Sequence, residues 1–121
     1  MKIENIKFKA KRLDNGKWAE GSLVTTKLLG WDEPMTEIVA IDGTRYKVDP
    51  STICQFTGLK DCENQDIYEG DILAEKEHPE FEVGYIDCTF AAYVGDNRFI
   101  FNLLALSEAC KVCGNKFDKD K

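Results

Sequence analysis

Strict alternation of apolar and charged side chains near the start of the chain is the feature that most constrains its fold. Apolar residues at positions 6, 8 and 10 alternate with lysines at positions 7, 9 and 11. A period of two places the apolar groups on one face of a β-strand, whereas an amphipathic helix needs a period near 3.6. The next segment, Asp14-Asn15-Gly16, supplies residues that tolerate positive φ, as a tight hairpin requires. We therefore predict that the chain begins with a β-hairpin.

Short strands separated by turn residues continue the pattern. The clearest hairpin has arms at 37–41 and 44–48 around the two-residue turn Asp42-Gly43. Further strands are predicted at 53–56, 71–77, 81–85, 89–94, 98–101 and 110–113, with helical turns over 103–109 and a mostly loop segment over 57–70. This spacing predicts a mostly β fold. We expect an N-terminal strand-and-hairpin subdomain over 1–66 and an SH3-like small β-barrel over 67–121, with minor helical turns.

Charge is unevenly distributed along the 121 residues. Residues 1–17 carry +4 and residues 61–87 carry −9, within a total of −6. An acidic face repels phosphate backbones, so duplex nucleic acid is an unfavourable ligand for that side. The basic first hairpin leaves a second possibility open, because lysines beside aromatic residues are typical of single-strand binding.

No pattern of residues indicates catalytic, cofactor or metal chemistry. Cys110-Lys111-Val112-Cys113 has the spacing of half a zinc site, but a structural zinc usually takes two such pairs. The other candidate ligands, Cys54, Cys62, His78 and Cys88, are single residues without paired spacing. His78 lies between acidic neighbours with no nucleophile beside it, and no phosphate-binding glycine loop is present. We expect ordinary reduced thiols, no metal, no cofactor and no catalytic residue.

Hydropathy gives no sign of a membrane segment. The apolar runs are far shorter than the roughly 18 residues that a transmembrane helix needs. Residues 1–12 alternate apolar with charged side chains, so they lack the apolar core of a signal peptide. These observations predict a cytoplasmic protein.

The most particular stretch consists of two blocks, Gln55-Phe56-Thr57-Gly58-Leu59-Lys60-Asp61 and Asp66-Ile67-Tyr68-Glu69-Gly70-Asp71-Ile72. Their glycines permit sharp backbone reversals, and their apolar residues at 59 and 67 can pack beneath a loop. Their aspartates can accept backbone N–H groups and so hold turns. These roles are structural and need no ligand.

The two blocks resemble the signature of the YopX family, proteins of bacteriophages and of prophages of Gram-positive bacteria. Residues 6–10 resemble the family's opening strand, and residues 112–118 resemble its closing segment. Asn64 stands where the family usually has glycine, and Lys11 stands where an aromatic residue is common. The matched motif residues, to which we assign structural roles, are Gln55, Thr57, Gly58, Leu59, Asp61, Ile67, Tyr68, Glu69, Gly70, Asp71, Gly114 and Asn115.

The resemblance implies a phage-encoded β-rich protein that self-assembles, and it carries over no biochemical activity. Our leading hypothesis is a non-enzymatic binding or assembly module in the host cytoplasm, homo-oligomeric and able to bind a host or phage protein. Opposed charged segments would guide head-to-tail contact, while apolar side chains such as Trp31 or Phe117 would supply affinity. The alternative is a nucleic-acid-binding accessory protein that uses the basic first hairpin; an enzyme is the least favoured hypothesis.

Overall fold

A computed structural model describes residues 2–74, 80–86, 89–94 and 99–119, and within these ranges the chain is mostly β, as predicted. The strands are β1 (Phe8–Lys11), β2 (Trp18–Thr26), β3 (Met35–Val39), β4 (Arg45–Lys47), β5 (Cys54–Lys60), β6 (Asp66–Tyr68), β7 (Asp71–Ala74), β8 (Phe81–Ile86), β9 (Thr89–Val94), β10 (Phe99–Asn102) and β11 (Lys111–Asn115). The α-helix is α1 (Leu103–Ser107), and short 3-10 turns lie at Ile3–Asn5, Pro50–Thr52 and Lys116–Lys119. The chain divides into two compact units, unit 1 (Met1–Gln55) and unit 2 (Phe56–Lys121).

Unit 1 is an antiparallel meander in which β2 contacts two neighbours along its length. Its first half pairs with β1, and its second half pairs with β3, which in turn pairs with β4. Gly21 lies at the change of partner, where a Cβ atom would overlap the carbonyl oxygen of Val39. Only glycine lets the two backbones approach this closely. Cys54 and Gln55, at the start of β5, pair with the other edge of β1.

The alternation read from the sequence is present in unit 1 with the predicted face inward, but the strand begins two residues later than predicted. Ala10 is fully buried against Ile38, and Phe8 packs against the same cluster. Ile6 lies before β1 and is 49% exposed, so the strand begins at Phe8. A hairpin at Asp42-Gly43 is confirmed, but its loop has three residues, 41–43, and not the two predicted, because Val39 pairs with Arg45 and Ala40 lies opposite Thr44. Its turn is closed by a 2.8 Å bond from the Ala40 N–H to the carbonyl of Thr44.

Unit 2 contains a five-stranded antiparallel sheet in the order β10-β9-β8-β7-β11. Its core is a cluster of buried residues: Ile67, Leu73, Phe81, Val83, Ala92, Leu103 and Cys110. The expected SH3-like barrel is not found, because no closed barrel forms within the described residues. The helix α1 takes the chain from one edge strand to the other, and its Leu103 packs into the core. The apolar face is therefore covered partly by a helix, and β10 does not pair with β11.

The segment predicted as mostly loop contains two paired strands, β5 and β6. The sequence predicts a loop from residue 57 with a sharp backbone reversal at Gly58, but β5 continues through Gly58 with an irregularity in register between Phe56 and Lys60. A positive φ of 88° at Gly58 accommodates the extra residues as a bulge. The predicted helical turns are confirmed in α1, and the last strand is β11. The turns predicted at 78–79 and 95–97 lie outside the described residues.

Among the helices in the described ranges, none is long and apolar enough to cross a membrane.

Candidate functional site

Asp61 of the first motif block joins two parts of unit 2, the β5–β6 turn and β11. Its Oδ1 accepts the N–H groups of Glu63 and Gln65 at 2.8 and 2.9 Å, which closes the turn between β5 and β6. Its Oδ2 accepts the N–H of Val112 at 2.8 Å and so fixes β11, 51 residues later, to that turn. The turn also contains Asn64, whose φ of 66° is the positive value that asparagine tolerates.

Electrostatics keep this carboxylate ionised. Burial alone raises the pKa of Asp61, but its three backbone N–H bonds and nearby Lys111 lower it by more. The net result is a pKa below the ordinary value for aspartic acid. A buried carboxylate that accepts three N–H bonds is stabilised in its charged form, and each bond depends on that charge.

Asp71 and Asn115 form a second clamp between the motif and the closing segment. Both are buried, and the Asn115 Nδ2 donates to the Asp71 Oδ1 at 2.8 Å. The Asp71 Oδ2 accepts the N–H of Tyr68 at 2.7 Å and holds the turn between β6 and β7. The Asn115 Oδ1 accepts the N–H of Phe117 at 3.0 Å. The clamp thus fixes two turns that lie 44 residues apart.

The remaining motif residues also contact their own unit. The Thr57 hydroxyl donates to the carbonyl of Ile67 at 2.8 Å and accepts the N–H of Leu59 at 3.2 Å, which bridges the β5 bulge to β6. Tyr68 is buried, and its ring packs at a 5.5 Å centroid distance against Phe56.

Four further motif positions complete the segment. The Glu69 carbonyl receives a longer, 3.4 Å bond from the Asn115 amide, and Gly70 turns with a φ of 86°. Gly114 lies at the irregularity in the β7–β11 register, and Gln55 is exposed on β5 opposite Phe8. The motif aspartates and Asn115 therefore have their polar atoms engaged inside the protein, a geometry suited to holding turns.

The cysteines occupy two kinds of environment. Cys54 and Cys110 are buried, whereas Cys62 and Cys113 are exposed. Although Cys113 is exposed, partial desolvation of its thiol, followed by the Glu80 carboxylate, raises its pKa, which makes it a weaker nucleophile at neutral pH. Within the part of the chain that the structure describes, no group of three or more metal-ligating side chains converges. His78 and Cys88 lie outside that part.

A polar pair that the sequence did not indicate lies on β8 and β9. The Tyr93 hydroxyl donates to Glu82, and Lys116 Nζ lies 3.8 Å from the same carboxylate. Burial, followed by the bond to Glu82, raises the pKa of Tyr93 to about 12. Tyr93 and Glu82 are directly opposite in the β8–β9 register. In the sequence, only the alternation along both strands could have predicted that these two residues pair.

Large apolar side chains are exposed on the loop between β2 and β3. Leu29 is 104% exposed, Leu28 is 56% exposed and Trp31 is 39% exposed. The N–H of Trp31 donates to the carbonyl of Leu28 at 3.1 Å, and Gly30 adopts a φ of 94°, so a tight turn presents Leu29 at its tip. We call residues 27–34 the apolar loop. The sequence predicted a loop here from Gly30 to Pro34, but it did not reveal the exposure of the two leucines.

The basic residues of β1 lie beside an aromatic ring. Lys9 Nζ lies 4.6 Å and Lys11 Nζ 5.3 Å from the centroid of the Trp18 ring, within cation–π range. Directly paired residues of antiparallel strands share a face, and Lys9 pairs with Glu20 on this one. The face is therefore basic and aromatic, with an acidic residue interspersed.

Unit 2 contains a cavity of about 420 Å³ beside its core. Its lining comes from β5, β9, the end of β10 and the start of α1. Among the described residues, its apolar part is formed by Leu59, Phe90, Ala91, Leu103 and Leu104, and two threonines and an asparagine also line it. Leu104 is 56% exposed, so the cavity has an apolar side chain that is accessible to solvent.

Comparison with known protein families agrees with the motif. The family model described as YopX protein matches residues 7–120, nearly the whole chain, and confirms the resemblance seen in the sequence. No curated protein matches the chain.

Proposed function

Since the chain belongs to the YopX protein family, we propose that it is a phage-encoded, non-enzymatic binding and assembly module that self-associates in the cytoplasm of its bacterial host. Membership of this family supports a phage-type protein. The finer proposal depends on which surfaces of this chain are engaged internally and which are presented to a partner.

The exposed apolar side chains of unit 1 are the observation that carries the proposal. Leu28, Leu29 and Trp31 come together on one short loop, and Leu29 is fully exposed at its tip. Scattered surface leucines are common, but clustered ones mark interaction sites, because covering them removes apolar surface from water. A protein partner that covers this loop would be stabilised mainly by that burial.

The motif residues support a non-enzymatic role by the way their polar groups are used. Asp61, Asp71 and Asn115 each bond to groups far away along the chain. Carboxylates engaged by backbone N–H groups stabilise turns and are poorly placed to transfer protons to a substrate.

Charge supports contact between unlike parts of two copies. Unit 1 carries nine basic and eight acidic residues, a net +1, whereas unit 2 carries seven basic and fourteen acidic residues, a net −7. Two copies of unit 2 would repel each other, so a contact from unit 1 to unit 2 is electrostatically preferred.

Light scattering on the purified chain at micromolar concentration tests the proposal. Self-association predicts a mass that is a multiple of 13.7 kDa at both low and high salt, because apolar burial is retained when charges are screened. A single 13.7 kDa species under both conditions would contradict it. Reversal of Lys7, Lys9 and Lys11 to glutamate should slow assembly without abolishing it, since steering charges act mainly on the association rate.

A second candidate function, single-stranded nucleic-acid binding, is favoured by the position of Lys9 and Lys11 on the ring of Trp18. A base could stack on the Trp18 ring while the two ammonium groups move to the phosphates of the nucleic-acid strand. The test is titration of a labelled single-stranded oligonucleotide over a range of salt. Binding that falls steeply with salt and is lost in Trp18→Ala would support this function, and absence of binding at low salt would exclude it.

A further inference from the structure

We infer that the apolar loop of one copy of this chain inserts its Leu29 tip into the cavity of unit 2 in a second copy. The inference rests on the proposed function, because it identifies the two surfaces that meet when the protein self-associates. It names a heterologous contact, in which each copy offers a loop to one neighbour and a cavity to another.

The apolar loop is built as a preformed projection. The bond from the Trp31 N–H to the Leu28 carbonyl closes the turn, and the positive φ of Gly30 reverses the chain there. Leu29 is therefore held outward, away from the core of its own unit. A preformed turn loses less conformational entropy on binding than a disordered segment does, so more of the apolar burial contributes to affinity.

The cavity of unit 2 has the size and lining that such a projection needs. It is open to solvent, and its volume of about 420 Å³ lies within the roughly 300–1,000 Å³ of ligand pockets. Leucine and phenylalanine side chains supply most of its apolar lining. The hydroxyl of Thr57, which also lines it, is already bonded to Ile67 and Leu59, so an apolar occupant leaves this group paired.

Net charge selects a second copy over a lipid surface. Asp32 and Glu33 follow Trp31 directly, and the whole chain carries −6. The Asp32 and Glu33 carboxylates would oppose insertion of this loop into an anionic bilayer, whereas membrane-active apolar segments are usually flanked by basic residues. The described residues that line the cavity carry no charge, so Asp32 and Glu33 of the loop meet no like charge in that lining, and the two units as wholes carry +1 and −7.

Two substitutions separate the two sides of the contact. Leu29→Asp places a charge at the exposed tip of the loop, and Leu104→Asp places one at the exposed residue of the cavity lining. Both positions are solvent-accessible, so both variants should have the same Tm as the wild type when thermal unfolding is followed by circular dichroism. Ile41→Asp is the matched control, since Ile41 is 106% exposed on the β3–β4 turn of the same unit.

The expected result is that each of the two variants self-associates at least about tenfold more weakly than the wild type, while Ile41→Asp does not change. A 1:1 mixture of the Leu29→Asp and Leu104→Asp chains should then form dimers, because one intact loop and one intact cavity remain between them. Formation of this dimer distinguishes insertion of the loop from a general effect of the added charges, because such an effect would keep both chains monomeric.

Other outcomes would overturn the inference or the proposed function on which it rests. If the wild type is oligomeric and Leu29→Asp remains equally so, the loop does not mediate assembly, but the proposed function stands. If the wild type is monomeric, self-association itself is wrong and the inference fails with it. If the mixture stays monomeric, the two surfaces do not meet. If the wild type floats with vesicles of phosphatidylcholine and phosphatidylglycerol and Leu29→Asp does not, the loop binds membrane instead.

Discussion

Replacement of Asp61 by alanine should destabilise the protein through the loss of three hydrogen bonds at once. A hydrogen bond to a charged group contributes about 1.5–3 kcal/mol, and an unpaired buried donor costs about 1–3 kcal/mol. Glu63 and Gln65 lie in an exposed turn where water can replace the carboxylate, but the N–H of Val112 is partly buried. We therefore expect a loss of about 3 kcal/mol in the free energy of unfolding, close to one full bond plus its desolvation penalty.

Thermal unfolding followed by circular dichroism measures this effect. For a domain of this size a loss of about 3 kcal/mol lowers Tm by roughly 10 °C. Glu63→Gln is the matched control, because it removes one negative charge from the same turn at an exposed side chain. Its Tm should equal that of the wild type. An unchanged Tm in Asp61→Ala would refute the anchoring role and would make this carboxylate a candidate for ligand binding.

Acid titration gives an independent check on Asp61. Its folded-state pKa is lowered, so the stability it contributes is present above the unfolded-state pKa near 4 and is lost as pH falls through the folded-state value. The difference in stability between wild type and Asp61→Asn should therefore be constant at neutral pH and shrink below about pH 4. A difference that grows on acidification would contradict the direction of the shift.

Two further predictions follow from the geometry of unit 2. Gly58→Ala should cost on the order of 1 kcal/mol, because its φ is 88° but no atom lies within 4 Å of the new Cβ. Gly70→Ala should lower the free energy of unfolding by more, because its Cβ would also lie 3.3 Å from the Asn115 amide that holds Asp71. Equal losses of stability for the two variants in urea denaturation would contradict the clamp. When the ionisation of the tyrosines is followed by absorbance, one phenol should ionise only near pH 12. That ionisation should be absent in Tyr93→Phe. The bond to Glu82 stabilises the fold below about pH 10, and this stabilisation is lost as pH rises through about 12. If Tyr93→Phe instead removes a phenol that titrates near pH 10, the bond to Glu82 is contradicted.

Features set by a few neighbouring residues could be predicted from the sequence. The Asp42-Gly43 turn is local, because Gly43 supplies a φ of 90° and the Asp42 carboxylate accepts the N–H of Thr44 two residues later. The helical turns of α1 are equally local, and the positive φ of Asn64 occurs at a residue type that tolerates it. These elements depend on backbone conformations that particular residue types favour.

Features set by distant residues could not be predicted. Nothing near Asp61 indicates that its second oxygen reaches Val112, and nothing near Asp71 indicates that Asn115 contacts it. The prediction of a barrel was wrong for the same reason, because closure of a sheet depends on which edge strands pair. Here α1 connects the edge strands β10 and β11, which do not pair. The exposure of Leu29 likewise depends on how a whole loop folds, since leucine is more often buried than exposed.

The mass of the native chain in a dilution series tests self-association most directly. Sedimentation equilibrium should show an assembly whose average mass falls reversibly toward 13.7 kDa as the protein is diluted, with Leu29→Asp shifted to the dissociated end at every concentration. A mass of 13.7 kDa throughout the series, identical for the wild type and the variant, would contradict the assembly of this protein through its apolar loop.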